Sequence, residues 1–420
     1  MSIFEGLEIN QNVLEQTNPV FNTGKMTLFQ LSASGNKDAA AIAQSLGLTL
    51  EETQNSKTTT ASPEQMAAGM MTMETRYRVM GSLAEISGCD ICIDLPCGYT
   101  PRAIEFARKG IRFIGMDLPA TITEAEPAIM SLMTEEEKRF VKFCGVDATN
   151  YSSLEAALDG EEGSLCITTE GLMMYLTESE VQAFCQNVHR LLQKYGGCWI
   201  TADPEISLIY VMALKTVCGE RFMEIMMNAK QQTTDKADVA IGVNPLIVKP
   251  QSAEDDIKSA MIFLSKCGLK AERIVVADHM PELMSAKEEK AEAFKKAMEK
   301  CAFWKITVSE PGKVLDTTEV ESNDFSATAE LKDGTLFLRL TGRLDTITSP
   351  NLLAFYQNNK ELIDGVYVDC TDLEYISSAG LRVLLMMQKG SKNGVTLSGI
   401  TNVVSEILKQ TGFDQVLVVE

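Results

Sequence analysis

Between residues 89 and 204 the chain repeats one pattern: a short apolar run, a turn, and a longer helical stretch. The apolar runs are CDICIDL (89–95), IRFIGMDL (111–118), FCGVD (143–147), SLCITTEG (164–171) and GCWITADP (197–204). They are unbroken rather than alternating, as strands buried on both faces are, and the helices between them supply the cover. Strands alternating with helices in this way predict βαβ units and a mostly parallel sheet with helices on both faces, an α/β fold. A polar helix begins at Lys37, and a Thr/Ser/Asn-rich stretch leads from it to a Met-rich helix over Glu64–Ile86. After Pro204 a mainly helical region runs to residue 265. A strand at 269–278, a charged helix at 284–300 and a closing strand at 303–310 follow.

Residues 311–325, PGKVLDTTEVESNDF, lack apolar periodicity and read as a linker. Beyond it the pattern restarts at smaller scale. A hairpin turns at Asp333-Gly334, and a helix opens at Ser349-Pro350, an N-cap with Pro behind it. GVYVDCT, GVTLSGI and DQVLVVE read as strands, with helices SSAGLRVLLMMQKG and NVVSEILKQTGF between them. The expected domains are therefore 1–310, a linker at 311–325, and 326–420, which suits a chain of 420 residues.

Acidic residues outnumber basic ones 58 to 38, giving a net charge of −20. Such a surface repels phosphate backbones and anionic lipid, so neither a nucleic acid nor a membrane surface is expected as partner. Residues 323–420 hold 12 acidic and 8 basic side chains, so most of that charge lies on the larger unit. The eleven cysteines are scattered and odd in number. The single C-x-x-C, Cys89 to Cys92, would point its thiols to opposite faces of a strand. With only two histidines, His189 and His279, no metal site is expected. Reduced, buried thiols, no signal-peptide pattern and no bilayer-length apolar run lead to the expectation of a cytoplasmic protein.

Chemistry concentrates in ICIDLPCGYTPRA followed by IRFIGMDLP. A strand ends at Asp94, a turn containing Gly98 opens a helix, and the next strand ends at Asp117, 19 positions after Gly98. That spacing suits a turn that approaches a nucleotide and an acid that accepts its ribose hydroxyls. No G-x-G-x-x-G is present, which argues against a dinucleotide. Asp94 or Asp117 capping a helix, and Glu170 as a satisfied structural carboxylate, are the plainer alternatives.

The runs D-L-P-C-G-Y-T-P-R-A, M-D-L-P and E-G-L-M-M-Y-L-T (170–177) resemble the leucine carboxyl methyltransferase family, which includes O-methyltransferases of the tetracenomycin-biosynthesis type. The resemblance spans roughly residues 60–310. It implies a Rossmann-like, class I methyltransferase domain that uses S-adenosyl-L-methionine (SAM) to methylate an oxygen of a small molecule or protein. By that resemblance Gly98 lies against SAM, Asp117 holds the ribose, and Asp147 contacts the adenine amine. Glu170 sits by the methionine moiety and Arg76 pairs with the cofactor carboxylate. Two departures stand out: Pro96 replaces a glycine of the turn, and Thr100-Pro101 replaces Asp-Thr. No catalytic base is evident, which favours a carboxylate acceptor over a hydroxyl. Tyr175 is a candidate for the acceptor side.

In the smaller unit, L-T-G-R-L-D-T (340–346) precedes D-L-E-Y-I-S-S-A-G-L-R-V-L-L (372–385). Ser377 or Ser378 could simply cap a helix, or the helix start could carry a phosphate. Residues 326–420 resemble a STAS domain, the anti-sigma factor antagonist fold. That resemblance implies phosphorylation at Ser378, with Asp345 nearby, and a protein partner of the anti-sigma factor or kinase type. Ser377 stands where many members have Asp. Two functions are thus expected as alternatives: a methyltransferase under a STAS docking domain, or a signalling protein whose methyltransferase-like domain only senses a ligand.

Overall fold

The protein is seen in a computed structural model that describes residues 19–48, 62–222, 244–286, 288–309, 312–322 and 324–420. Much of the Thr/Ser/Asn-rich stretch and part of the helical region after Pro204 lie outside the described residues. Contacts divide the chain into two compact units: residues 1–253 with 271–307, and residues 254–270 with 308–420. The segment 254–270, placed by sequence in the larger unit, thus groups with the smaller one, which starts again at Val308 rather than after a linker ending at 325.

In the larger unit, α1 (Pro19–Ala33), α2 (Lys37–Ser45) and α3 (Pro63–Ile86) precede the sheet. The start of α3 is fixed by a capping box between Ser62 and Gln65 with Pro63 just inside. Then come β1 (Ile91–Asp94), α4 (Arg102–Arg108), β2 (Arg112–Asp117), α5 (Pro119–Met130), β3 (Val141–Gly145), α6 (Tyr151–Ala157), β4 (Leu165–Thr169), α7 (Glu178–Tyr195) and β5 (Gly197–Thr201). The chain continues through α8 (Ile206–Cys218), then α9 (Ala253–Lys266) and the start of β6 (Leu269–Val275), which fall in the segment grouped with the smaller unit, and then α10 (Val276–His279), α11 (Glu288–Ala297) and β7 (Ala302–Val308).

The sheet order is β3-β2-β1-β4-β5-β7-β6. β1 to β5 are parallel neighbours and β7 runs antiparallel to β5. This is the mixed, mostly parallel α/β sheet expected. All residues of β1 and β4 are buried, as unbroken apolar runs require. On α7, Val181, Phe184, Cys185, Val188, Leu191 and Leu192 form one buried stripe, and Phe184 meets Trp199 of β5 edge-on at 5.3 Å.

Two local expectations change. β3 lies two residues earlier than the apolar run FCGVD, because Val146 turns away to donate to the Asp117 carbonyl and Asp147 enters a turn. Lys142, which disguised the strand, reaches the Ala157 carbonyl from β3. Cys89 lies before β1, so strand alternation does not separate it from Cys92. Cys92, Cys166 and Cys198 stand in register across β1, β4 and β5, and Cys89 hydrogen-bonds at the Cys198 end.

The smaller unit carries β8 (Lys313–Leu315), β9 (Phe325–Lys332), β10 (Thr335–Leu344), α12 (Ser349–Asn359), β11 (Gly365–Ile376), α13 (Ser378–Gly390), β12 (Val395–Ser398), α14 (Asn402–Thr411) and β13 (Val418–Val419). Its sheet runs β13-β12-β11-β10-β9-β8. The β9–β10 hairpin turns where expected, with φ of 48° at Asp333 and 77° at Gly334. Residues 313–315, read as linker, pair antiparallel with β9, and Leu315 and Val320 join the core. A three-residue edge strand is too short to show periodicity. The cap of α12 is also shifted: Thr348 holds the N-cap position and Ser349 is the first helical residue, its hydroxyl bonded to the Asp345 carbonyl.

Candidate functional site

The sheet order reverses direction at β1, with β2 and β3 on one side and β4 and β5 on the other. A crevice opens at the carboxyl ends of strands at such a switch point. Acids cluster there: Asp94 ends β1, Asp117 ends β2, Glu170 follows β4 and Asp203 follows β5. A cleft of about 830 Å³, solvent at its mouth included, is lined by Arg76, Asp94, Gly98, Arg102, Asp117 and Glu170, with Met174 and Tyr175 at its side.

Gly98 has φ of +52°, a left-handed conformation that favours glycine, and no atom lies within 4 Å of where a Cβ would stand. Its N–H donates to Asp117 Oδ2 at 2.8 Å, while the Leu118 N–H donates to Oδ1 at 2.7 Å. Asp117 is buried, and burial pushes its carboxyl above the usual value although both N–H bonds oppose this. The Thr121 hydroxyl also bonds this carboxylate, which can still accept from a ligand.

The floor of the cleft is an ion network that crosses three elements. Arg102 on α4 donates through Nη1 to both Asp94 oxygens, at 2.9 and 2.8 Å. Its Nη2 reaches the Tyr77 carbonyl and Glu170 Oε2, each at 3.2 Å. Thr168 donates to Asp94 Oδ1 at 2.8 Å. Burial pushes the Asp94 carboxyl up, with Arg102 and Thr168 pulling it back. Burial also works against the Arg102 charge, but Asp94 and Glu170 outweigh it and hold the proton more tightly. Arg76 on α3 places Nε 3.3 Å from Glu170 Oε1, yet misaligned for a hydrogen bond. The Arg76 residue is 7% exposed, and its buried Nε makes no hydrogen bond among the described residues.

Five of the residues expected from sequence, Arg76, Gly98, Asp117, Glu170 and Tyr175, therefore meet at one cleft. Asp147 does not line it. That side chain is exposed, and its Oδ1 accepts from the Thr149 N–H at 2.9 Å and the Thr149 hydroxyl at 2.7 Å. Asp94, read from sequence as the acid ending β1 with helix capping as an alternative, pairs instead with Arg102, and neither Arg102 nor Asp203 was singled out by the sequence. The recurring signal was an acid at the end of each strand. Neither histidine lines the cleft, and Cys97 there is buried, which pushes its thiol up and leaves it no nucleophile. Among the described residues no group of His, Cys, Asp or Glu has metal-binding geometry, and no helix is long and apolar enough to cross a membrane.

In the smaller unit Ser377 is the cap: its Oγ accepts the Gly380 N–H at 3.3 Å. Ser378 is the first residue of α13 and is exposed. The Ser377 N–H donates to the Leu344 carbonyl at 2.9 Å, which brings the Asp345 loop beside the helix start. Asp345 accepts the N–H groups of Ile347 and Thr348, and these hold its carboxyl below the usual range.

Residues 327–420 match the family model described as "Mlab, STAS domain". The C-terminal part is thereby supported as a STAS domain. Among solved structures, an anti-sigma factor antagonist from Mycobacterium paratuberculosis is similar at 18% identity, over 24% of this chain and 87% of that one, with a TM-score of 0.22. An O-methyltransferase family protein from Burkholderia thailandensis is similar at 12% identity, over 61% and 62% of the two chains, with a TM-score of 0.31. Human N-acetylserotonin methyltransferase in complex with SAM is similar at 10% identity, over 68% and 71%, also at 0.31. No curated protein matches the sequence. At such identities and TM-scores these likenesses carry no functional argument, and the chemistry of the cleft rests on its own residues.

Proposed function

We propose that the larger unit binds SAM in this cleft and methylates an oxygen acceptor, as the leucine carboxyl methyltransferase-like motifs imply. The observation that carries this reading is the meeting of Arg76, Gly98, Asp117 and Glu170 at the carboxyl ends of β1, β2 and β4. The residues present fit the group. Arg76 is a buried cation that lines the cleft beside Glu170, its Nε without a hydrogen bond, which suits a ligand carboxylate. Gly98 leaves open space where a side chain would stand, and Asp117 offers a buried carboxylate for ribose hydroxyls. Glu170, held between Arg76 and Arg102, accepts a ligand ammonium. SAM supplies the activated methyl group; the chain aligns the acceptor and excludes water. With the cleft's acids engaged by arginines or backbone N–H groups and no histidine lining it, a carboxylate acceptor, which needs no base, suits the site best. Tyr175 stands on the acceptor side of this reading.

The second reading, a ligand sensor without turnover, draws on that same lack of a base. In either reading the STAS domain docks a protein partner of the anti-sigma factor or kinase type. Phosphorylation of Ser378 would control it, a role supported by its exposed place at the start of α13. A cytoplasmic setting agrees with eleven cysteines, none of them in a disulfide.

Titration calorimetry with SAM and with its demethylated product tests the reading. Binding of either at micromolar concentration is expected, and no binding below millimolar for both refutes it. Binding without methyl transfer to any oxygen acceptor would select the sensor.

A further inference from the structure

We propose that Asp203 is a positioning residue of the SAM cleft: its buried carboxylate grips three consecutive backbone N–H groups after β4 and so helps set where Glu170, Gly171, Met174 and Tyr175 stand. This rests on the reading of the cleft as a SAM site. The loop from Glu170 to Tyr175 contributes more of the cleft than any other stretch except the turn after β1. Loops at strand ends wander unless something holds them, and little in this segment holds itself. Its regular structure is a single 3₁₀ turn at Met173–Tyr175.

Two groups from outside the segment hold its backbone: Asn244 Nδ2 donates to the Met173 and Leu176 carbonyls at 2.8 and 3.3 Å, and Asp203, just past β5, takes the N–H groups. Gly171 has φ of +77°, and Leu172 follows at φ −104° and ψ −51°. A left-handed residue followed by a right-handed one aims successive N–H groups at one point, making a concave anion site. Asp203 fills it. Oδ1 accepts the Gly171 N–H at 2.6 Å, and Oδ2 accepts those of Leu172 and Met173 at 2.8 and 2.9 Å. Asp203 is fully buried, does not line the cleft, and is anchored by donating its own N–H to Thr201 Oγ1 at 3.1 Å. Parallel pairing of Thr169 with Thr201 at the ends of β4 and β5 places it opposite the loop. Asp203 therefore acts on the ligand only through the residues it positions. Charge-assisted bonds to a buried carboxylate are among the stronger hydrogen bonds, so losing one displaces the loop rather than merely softening it.

The test uses the full chain and Asp203→Asn, which keeps the shape but turns an N–H₂ toward at least one of the three donors. Amide hydrogen exchange without ligand should speed up at least about tenfold over 170–176 and stay unchanged in β1 and β2. SAM affinity should fall by about 10- to 100-fold, the loss expected for one charge-assisted bond. Combined with Glu170→Gln, the loss should be smaller than the product of the two single losses, because the second change acts on a group already displaced. A merely structural role gives multiplicative losses and exchange raised across the sheet, and either result overturns the proposal. Should Asp203→Asn fail to fold, Thr201→Val removes the anchor alone at constant volume and should still raise exchange over 170–176; unchanged exchange there overturns it equally. If the unaltered protein binds no SAM, the proposed function fails while exchange over 170–176 still decides the role of Asp203.

Discussion

Arg102→Met tests the logic of the cleft floor most directly. The arginine side chain is 2% exposed and its partner Asp94 is 1% exposed, so neither charge can turn to water when the other is removed. Methionine fills much of the same space but withdraws both bonds to Asp94, the bond to the Tyr77 carbonyl and that to Glu170. Asp94 keeps only the Thr168 hydroxyl, while Glu170 keeps Arg76 at 3.3 Å. Removing one partner of a buried pair costs about 3–5 kcal/mol. At about 2–4 °C per kcal/mol for a large domain, the melting point of the larger unit should fall by roughly 6–20 °C in differential scanning calorimetry. Adding Asp94→Asn removes the stranded charge and should recover about half of the loss or more.

The pH dependence has a fixed sign. The folded-state carboxyl of Asp94 already lies above 3.8 through burial, and losing Arg102 raises it further. The folded state then binds a proton more readily than the unfolded one. The deficit is full above the folded value and shrinks as pH falls through it towards 3.8. A loss below about 1 kcal/mol, no recovery in the double variant, or a deficit that grows in acid would refute the reasoning.

Asp117→Ala should abolish SAM binding; unchanged affinity in calorimetry would place the site elsewhere. Because burial raises the folded Asp117 carboxyl, SAM affinity in the unaltered protein should be full at neutral pH and begin to fall above pH 3.8, whereas a flat dissociation constant down to that pH counts against its role. Ser378→Glu should weaken capture of the STAS partner in pull-downs while Ser378→Ala leaves it intact, and equal recovery rejects the phosphate switch. Cys198, pushed up to about 12 by the adjacent Cys166 thiol and by burial, should resist an aromatic disulfide reagent in the native state; rapid native labelling of Cys198 would contradict its environment.

What the sequence made legible follows from local physics. Unbroken apolar runs between amphipathic helices point to strands of a covered, mostly parallel sheet, and β1, β2, β4 and β5 are such strands. Asp333-Gly334 can hardly be anything but a tight hairpin turn. The 19-residue interval between Gly98 and Asp117 also encoded a contact, because one helix and one parallel strand return the chain to the same edge. Where a single side chain settled the outcome, local pattern misled. Lys142 hid the start of β3, and the apolar content of 311–325 was too thin to reveal β8.

The remainder belonged to tertiary structure. Arg102 meets Glu170 across 68 positions, and Asp203 meets Gly171 across 32. No periodicity records such distances; the parallel register of β1, β4 and β5 creates them by setting strand ends side by side. The same register left Asp147 outside the cleft, its carboxylate spent on a local turn with Thr149. Between two adjacent serines, one hydrogen bond decided: Ser377 caps α13, leaving Ser378 exposed. Sequence by itself determined which segments become strands and helices and which acids end them, because those depend on neighbours within a few residues. Only the folded sheet decided which acids face arginines, which faces backbone N–H groups and which faces water, because burial and charge pairing are properties of the assembled crevice.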